Sequence, residues 1–301
     1  MNLESDMITH SMAYTLHTFG SFHKIYFSVW FADDDTDLPM HIKTILKWNA
    51  KCLIKFNIPL VVLYTGTKVG NTLNKLHKNV LSINATSYMK NELSVALTNT
   101  YTNERTTPDE FEIMCYQRFI VASHIFKKTN TQLTHLDCDF MITRDLLHEV
   151  ESTSMSCDIK SFGTGCTPCV WFNGVQQLEN FCNYFSESPQ KCDMIALQKY
   201  IEEIPVHFEK ILLHEQFRKY LKNNAFPSYS IRAKIGKICK LYNIDIPSDK
   251  TDKHFLKQIS NFFEFDKFSI RMNEESVPFI HFQGWSRGLA KYIFKHSPLT
   301  L

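Results

Sequence analysis

Glycine is scarce in this chain, 9 of 301 residues, which excludes collagen-like repeats and glycine-rich linkers. An excess of one charge is also lacking. The 33 Lys+Arg stand against 31 Asp+Glu, and a net charge of +2 gives no overall pull toward nucleic acid. No apolar run approaches the ~18 residues of a membrane span, and the N-terminal segment MNLESDMITH lacks the basic start and apolar stretch of a signal peptide. The nine cysteines are odd in number and scattered, so they do not form a disulfide framework. The reading is a cytoplasmic protein in a reducing compartment. Cys166-Thr167-Pro168-Cys169 is a CxxC without a second pair at zinc-ribbon spacing, so it reads as a loop with two free thiols before it reads as a zinc or redox site.

What is present is an aromatic-rich, ordinary globular composition: 44% apolar residues, 21% charged, and 24 phenylalanines. His23–Asp33, HKIYFSVWFAD, reads as a buried strand feeding an acidic loop, and Pro59–Tyr64 as a second one. Between them MHIKTILKWNAKCLIKF places Ile42, Ile45, Leu46, Trp48, Cys52 and Leu53 at helical intervals. Strand, helix and strand in so short a span make a βαβ unit and predict a parallel sheet. Further on, Val80–Asn84 is a strand, and Asp109–Lys127 is a helix with acids in its first turn and lysines at its end, both favoured by the helix dipole. Gln132–Ile142 reads as one strand, Arg144–Val150 as a helix and Cys169–Asn173 as a strand. Val175–Phe185, Asp193–Glu203 and Phe208–Leu221 read as helices. Residues 218–257 carry ten Lys/Arg against three acids, with Ile231, Ile235 and Ile238 spaced for an amphipathic face. The expectation is a single α/β domain over 1–301, with a helical, basic appendage at about 205–260. That stretch is a solvated basic face or, alternatively, a peripheral contact for an anionic membrane surface. It has no nucleic-acid-binding signature.

The most chemical feature is His135-Leu136-Asp137-Cys138-Asp139-Phe140. Read as a strand, it points Asp137 and Asp139 to one face and Cys138 to the other. Two carboxylates side by side repel unless a positive group sits between them. Mn²⁺ or Mg²⁺, with hard oxygen ligands, does this well. Turn capping, or pairing with Arg144 or a lysine, is the plainer alternative. In open α/β sheets, ligands bind at the C-terminal ends of strands, where this pair would lie.

In context these residues resemble the GT-A glycosyltransferases, the glycogenin and galactosyltransferase-like families with a DxD motif. The resemblance rests on Arg118 in CysTyrGlnArgPhe, on HisLeuAspCysAspPheMetIle, on ThrArgAspLeuLeu at 143–147 and on Phe172-Asn173-Gly174-Val175. It continues in Cys192-Asp193-Met194 and in His281-Phe282-Gln283-Gly284, with Arg287 and Lys291 after it. The matches fall in family order over about residues 23–295. The chain departs from the pattern in a shortened FNaGv segment and a displaced terminal basic residue. An HFQG-like ending also occurs in loosely related bacterial and viral GT-A enzymes.

The resemblance implies a mixed, mostly parallel GT-A sheet flanked by helices, and transfer of a sugar from a UDP-sugar, or a GDP-sugar, to a hydroxyl acceptor on a glycan, lipid-linked glycan or protein. It implies that Asp137, Asp139 and His281 hold the metal, and that Gly284, Arg287 and Lys291 meet the diphosphate. Arg118 would touch the donor sugar or, alternatively, pair with Asp109 or Glu112. One of Asp33, Asp34 and Asp35 would read the base or ribose. Asn173 and Gly174 would lie at the sugar, and Asp193 would face sugar and acceptor as a general base or, alternatively, only cap its helix. Two other readings compete. A nucleotidyltransferase normally opens with a glycine-rich basic loop, whereas PheAlaAspAspAspThrAsp has neither glycine nor base. A non-catalytic binding protein on a decayed GT-A fold would have less reason to keep both aspartates and the histidine.

Overall fold

The structure, a computed structural model, describes residues 22–102, 108–152, 156–211, 231–266, 269–282 and 286–296. Continuous apolar strands need cover on both faces, and they receive it here. In β1 (Lys24–Trp30) Tyr26 points into one hydrophobic cluster while Ile25 and Phe27 point into another. In β2 (Leu60–Tyr64) Leu60 and Val62 join the first cluster, Val61 and Leu63 the second. The alternation is the period-two geometry of a strand buried on both sides.

Between these strands runs α1 (Met40–Leu53), and α2 (Thr67–Leu73) leads to β3 (Val80–Asn84). Then follow α3 (Glu92–Thr100), α4 (Asp109–Phe126), β4 (Gln132–Leu136), β5 (Phe140–Ile142) and α5 (Arg144–Glu151). β6 (Ile159–Ser161), β7 (Cys169–Phe172), α6 (Val175–Glu187), α7 (Asp193–Glu203) and β8 (Phe208–Lys210) complete the main layer. The seven-stranded sheet has the order β3-β2-β1-β4-β7-β6-β8. Its pairs are parallel except β4 with β7 and β7 with β6, which are antiparallel. This is the mixed, mostly parallel, helix-flanked α/β sheet the motifs imply.

Two sequence expectations need correction here. Gln132–Ile142 is not one strand. It breaks after Leu136, turns through Asp137-Cys138-Asp139 with the Phe140 amide donating to the Asp137 carbonyl at 2.9 Å, and resumes as β5 outside the main sheet. Residues 208–210 are a strand, not the start of a helix, because they extend the sheet edge beside β6. The remainder of that expected helix lies outside the described residues.

The C-terminal part holds α8 (Ile231–Leu241), α9 (Lys253–Ser260) and a three-stranded antiparallel sheet of β9 (Phe263–Asp266), β10 (Ser269–Met272) and β11 (Glu275–Val277). β12 (Phe279–His281) and α10 (Ser286–His296) follow. The apolar side chains of Ile235 and Ile238 on α8 are buried in the first cluster, so the protein's own core takes them and they are not offered to a lipid surface. Lys237, Lys240, Lys250, Lys253 and Lys257 are exposed. Among the described residues no helix is long and apolar enough to cross a membrane.

Candidate metal centre

Three elements deliver the site. β4 ends at Leu136, and the Asp137 amide donates to the Pro168 carbonyl at 2.8 Å, which fixes the start of the acidic turn against the strand beside it. β5 is clamped from α1: the Asn49 side chain donates to the Phe140 carbonyl at 2.8 Å and accepts from the Ile142 amide at 3.1 Å. β12 then runs antiparallel to β5, with His281 opposite Phe140, and the Phe282 amide donates to the Asp139 carbonyl at 3.0 Å. Register alone therefore carries His281 to the acidic turn across more than a hundred residues of sequence.

One ligand atom from each of Asp137, Asp139 and His281 lies within 4.8 Å of the others. His281 Nε2 is 3.2 Å from Asp139 Oδ1 and 3.7 Å from Asp137 Oδ2. Two carboxylates and an imidazole on hard-to-borderline donors suit Mn²⁺, and the oxygens also suit Mg²⁺. The carboxylates converge although neither stands in a strand. The turn, not strand alternation, aims them at one point.

Each carboxylate already faces an arginine. Arg118, on α4, donates to Asp137 Oδ1 and to Asp193 Oδ2 at the start of α7. Its expected alternative, pairing with Asp109 or Glu112, is not what holds its guanidinium. Arg287 Nε donates to Asp139 Oδ2 at 2.9 Å. Burial pushes the Asp137 carboxyl up, Arg118 opposes this, and repulsion from Asp139 adds to the rise. Burial also acts to raise Asp139, but the His281 hydrogen bond and the Arg287 charge outweigh it and hold that carboxyl below its usual range. Arg118 loses solvent on burial, yet the two carboxylates more than restore its hold on the proton.

Asp193 is buried at the first position of α7 with Cys192 in the cap position, and its side chain turns to Arg118 instead of capping the helix. Lys291 lies one helical turn beyond Arg287 on α10 and is exposed. Asp33 is exposed at the end of β1, whereas Asp34 is already engaged: the Thr67 amide and hydroxyl both donate to its Oδ1 and hold its carboxyl below the usual range. The loops carrying these acids touch closely. Gly66, with φ +88°, has room for no Cβ, which would stand 2.6 Å from the Asp33 carbonyl oxygen. Gly284 lies outside the described residues.

Asn173 and Gly174 are a correction. β7 runs antiparallel to β4 and pairs Phe172 with Leu133, so Asn173 comes level with Gln132, whose side chain donates to its Oδ1 at 2.8 Å. Asp137 lies five residues farther along, about 16 Å at ~3.3 Å per residue. Asn173 and Gly174 therefore sit at the opposite end of the sheet from the acidic turn. The same register brings the loop before β7 to the site instead. There His135 Nδ1 donates to the Thr167 carbonyl at 2.8 Å, while its Nε2 lies 3.7 Å from Asp137 Oδ1. Burial holds the His135 ring well below its usual pKa and hence neutral. The Thr167 hydroxyl is buried without a hydrogen-bond partner.

His41, in the first turn of α1, is a further neighbour the sequence did not single out. It is buried, and burial together with the charges of Lys291 and Arg287 lowers its pKa to about 4 despite Asp139. Only the preference of open α/β sheets for ligands beyond strand C-termini pointed to the loop that leads into its helix. The CxxC thiols are both buried and free. Burial raises Cys166 to about 12 and Cys169 well above its usual value, so both rest as protonated thiols.

No protein-family model matches the sequence, and no curated protein matches it. Solved structures of glycosyltransferases do resemble it in fold. Mouse xyloside xylosyltransferase 1 in its apo form is 10% identical at a TM-score of 0.39, over 64% of this chain and 86% of that one. The galactosyltransferase LgtC, solved with donor and acceptor sugar analogues, is 12% identical at 0.41, over 66% and 80%. The PaToxG glycosyltransferase is 11% identical at 0.38, over 81% and 88%. At such identities and TM-scores the functional reading rests on the side chains at the sheet end.

Proposed function

We propose that this protein is a metal-dependent glycosyltransferase that moves a sugar from a UDP-sugar, with GDP-sugars as the other option, to a hydroxyl on a glycan, lipid-linked glycan or protein. The observation that carries the reading is the convergence of Asp137, Asp139 and His281 within 4.8 Å at the C-terminal end of the central strand. That end is where open α/β sheets bind ligands. Asp137, Asp139 and His281 would hold Mn²⁺ or Mg²⁺. A bound cation supplies Lewis-acid neutralisation of the charge gathering on the departing nucleoside diphosphate.

The chain's own residues do the rest. Arg287 and Lys291 on α10 would meet the diphosphate oxygens, Arg287 as a planar fork and Lys291 as a point charge. Arg118 pairs with Asp137 and Asp193 in a buried site, and Asp193 so held would accept from a sugar or acceptor hydroxyl. Asp33, exposed in the loop after β1, would read base or ribose, since Asp34 already accepts from Thr67. The whole chain acts as one α/β domain in this reading.

The competing nucleotidyltransferase reading has no glycine-rich basic loop after β1 to work with. There Asp34 and Asp37 instead fasten the loop to Thr67, Lys43 and Thr72. The test is a donor screen: UDP- and GDP-sugars are incubated with Mn²⁺ and protein, and released nucleoside diphosphate is measured. Release from one nucleotide's donors by the wild type, abolished in Asp137→Asn, supports the proposal. A protein that binds UDP or GDP but releases nothing from any donor, with or without sugar acceptors, would favour the binding-protein reading.

A further inference from the structure

The two arginines at the acidic turn are not alike. Arg118 is buried and ties together Asp137 and Asp193, so moving it would strand two carboxylates. Arg287 ion-pairs with Asp139, and its side chain is 49% exposed while that of Asp139 is 8% exposed. It starts a helix whose next turn carries Lys291, and both charges reach the His41 ring on α1. Two positive side chains of one helix, α10, thus stand near one buried carboxylate, and the one that pairs with it is half exposed to solvent.

We propose that Arg287 is a displaceable internal counter-ion. It neutralises Asp139 while metal and donor are absent, and it moves from Asp139 to the donor's diphosphate when they bind. This rests on the metal-dependent transferase reading. The physical reason is that a buried carboxylate needs a positive partner in either state. Arg287, on Oδ2, and the metal compete for the Asp139 carboxylate, and a diphosphate offers the guanidinium a better bidentate partner. Nucleotide binding would therefore remove the metal's competitor. Metal and nucleotide become coupled, each tightening the other by the same factor. Arg287 acts here as a positioning residue for Asp139.

The test uses Mn²⁺ binding, read from the electron paramagnetic resonance of free Mn²⁺, without catalysis. Wild type, Arg287→Gln, Arg287→Lys and Asp139→Ala are titrated with Mn²⁺ alone and with saturating UDP. Arg287→Gln is expected to bind Mn²⁺ alone about fivefold more tightly than wild type, the equivalent of about 1 kcal/mol, and to gain little from UDP. Wild type should gain about tenfold or more from UDP, and Arg287→Lys, which keeps the charge, should retain that gain. Asp139→Ala should lose Mn²⁺ binding. Arg287→Gln binding Mn²⁺ alone no better than wild type would overturn the inference while leaving the metal site intact. The inference is equally overturned if Arg287→Gln does not fold and Arg287→Lys shows no gain from UDP. Failure of wild type to bind Mn²⁺ even with UDP would sink the metal-dependent reading itself, and this inference with it.

Discussion

Replacing Arg118 with methionine keeps the length of a buried side chain and deletes its charge. In the wild type the guanidinium donates to Asp137 and Asp193, whose side chains are 19% and 5% exposed. Removing one member of a buried ionic group leaves uncompensated charge, at a cost of about 3–5 kcal/mol. That is a large part of the ~5–15 kcal/mol by which a domain is usually stable. The loss should depend on pH with a definite sign. Burial already raises the Asp137 carboxyl, and Arg118 is the main force opposing it. In Arg118→Met that carboxyl rises further, so the native state holds more protons than the unfolded one across the mildly acidic range. Stability then falls as pH increases, so the variant's deficit is greatest at neutral pH and shrinks toward pH ~5. Urea unfolding at pH 7.5 and pH 5 measures both quantities. Adding Asp193→Asn to Arg118→Met should recover part of the neutral-pH loss. A loss below ~1 kcal/mol, or one equal at both pH values, would refute the reasoning, because the two carboxylates would then not depend on the guanidinium.

The His41 pKa, lowered from its ordinary 6.5 to about 4, means that acid favours the unfolded chain. Stability linked to this residue is fully present above pH ~6.5 and is lost as pH falls through that value toward 4, so His41→Gln should remove about 2–3 kcal/mol of the wild type's acid sensitivity in urea titrations. Asn49→Ala leaves the Phe140 carbonyl and Ile142 amide unsatisfied beside β5 and should cost about 2–4 kcal/mol in thermal or urea unfolding. Asn173→Ala, at the far end of the sheet, should leave UDP affinity unchanged by calorimetry. A tenfold loss there would contradict the strand register.

The parts of the fold written most plainly in the sequence were those whose burial is unambiguous. The run Leu60–Tyr64 and the spacing of Ile42, Ile45, Leu46 and Leu53 could belong only to a covered strand and a packed helix. The break at Asp137 left no such mark. Leu136 and Phe140 are both buried, so apolar character continues across a change of sheet. The acidic pair was legible as chemistry, yet its geometry came from a turn and from the β5–β12 register, which hydropathy does not encode. Asn173 was misplaced for a related reason. A motif gives order along the chain but not strand direction, and the antiparallel β7 sends its end away from the site. His41 was silent because its neighbours, Asp139 and Lys291, lie far off in sequence and meet it only once α1 and α10 have packed.

The central claim is that Asp137, Asp139 and His281 hold a divalent cation that meets a nucleoside diphosphate. Calorimetric titration of the full chain with UDP and with GDP, each with and without Mn²⁺, beside folded Asp139→Ala, tests it most directly. The account predicts that one nucleotide binds only when Mn²⁺ is present and that Asp139→Ala abolishes this binding. A folded wild type that binds neither nucleotide with Mn²⁺, or binds one equally well without metal and in Asp139→Ala, would contradict it.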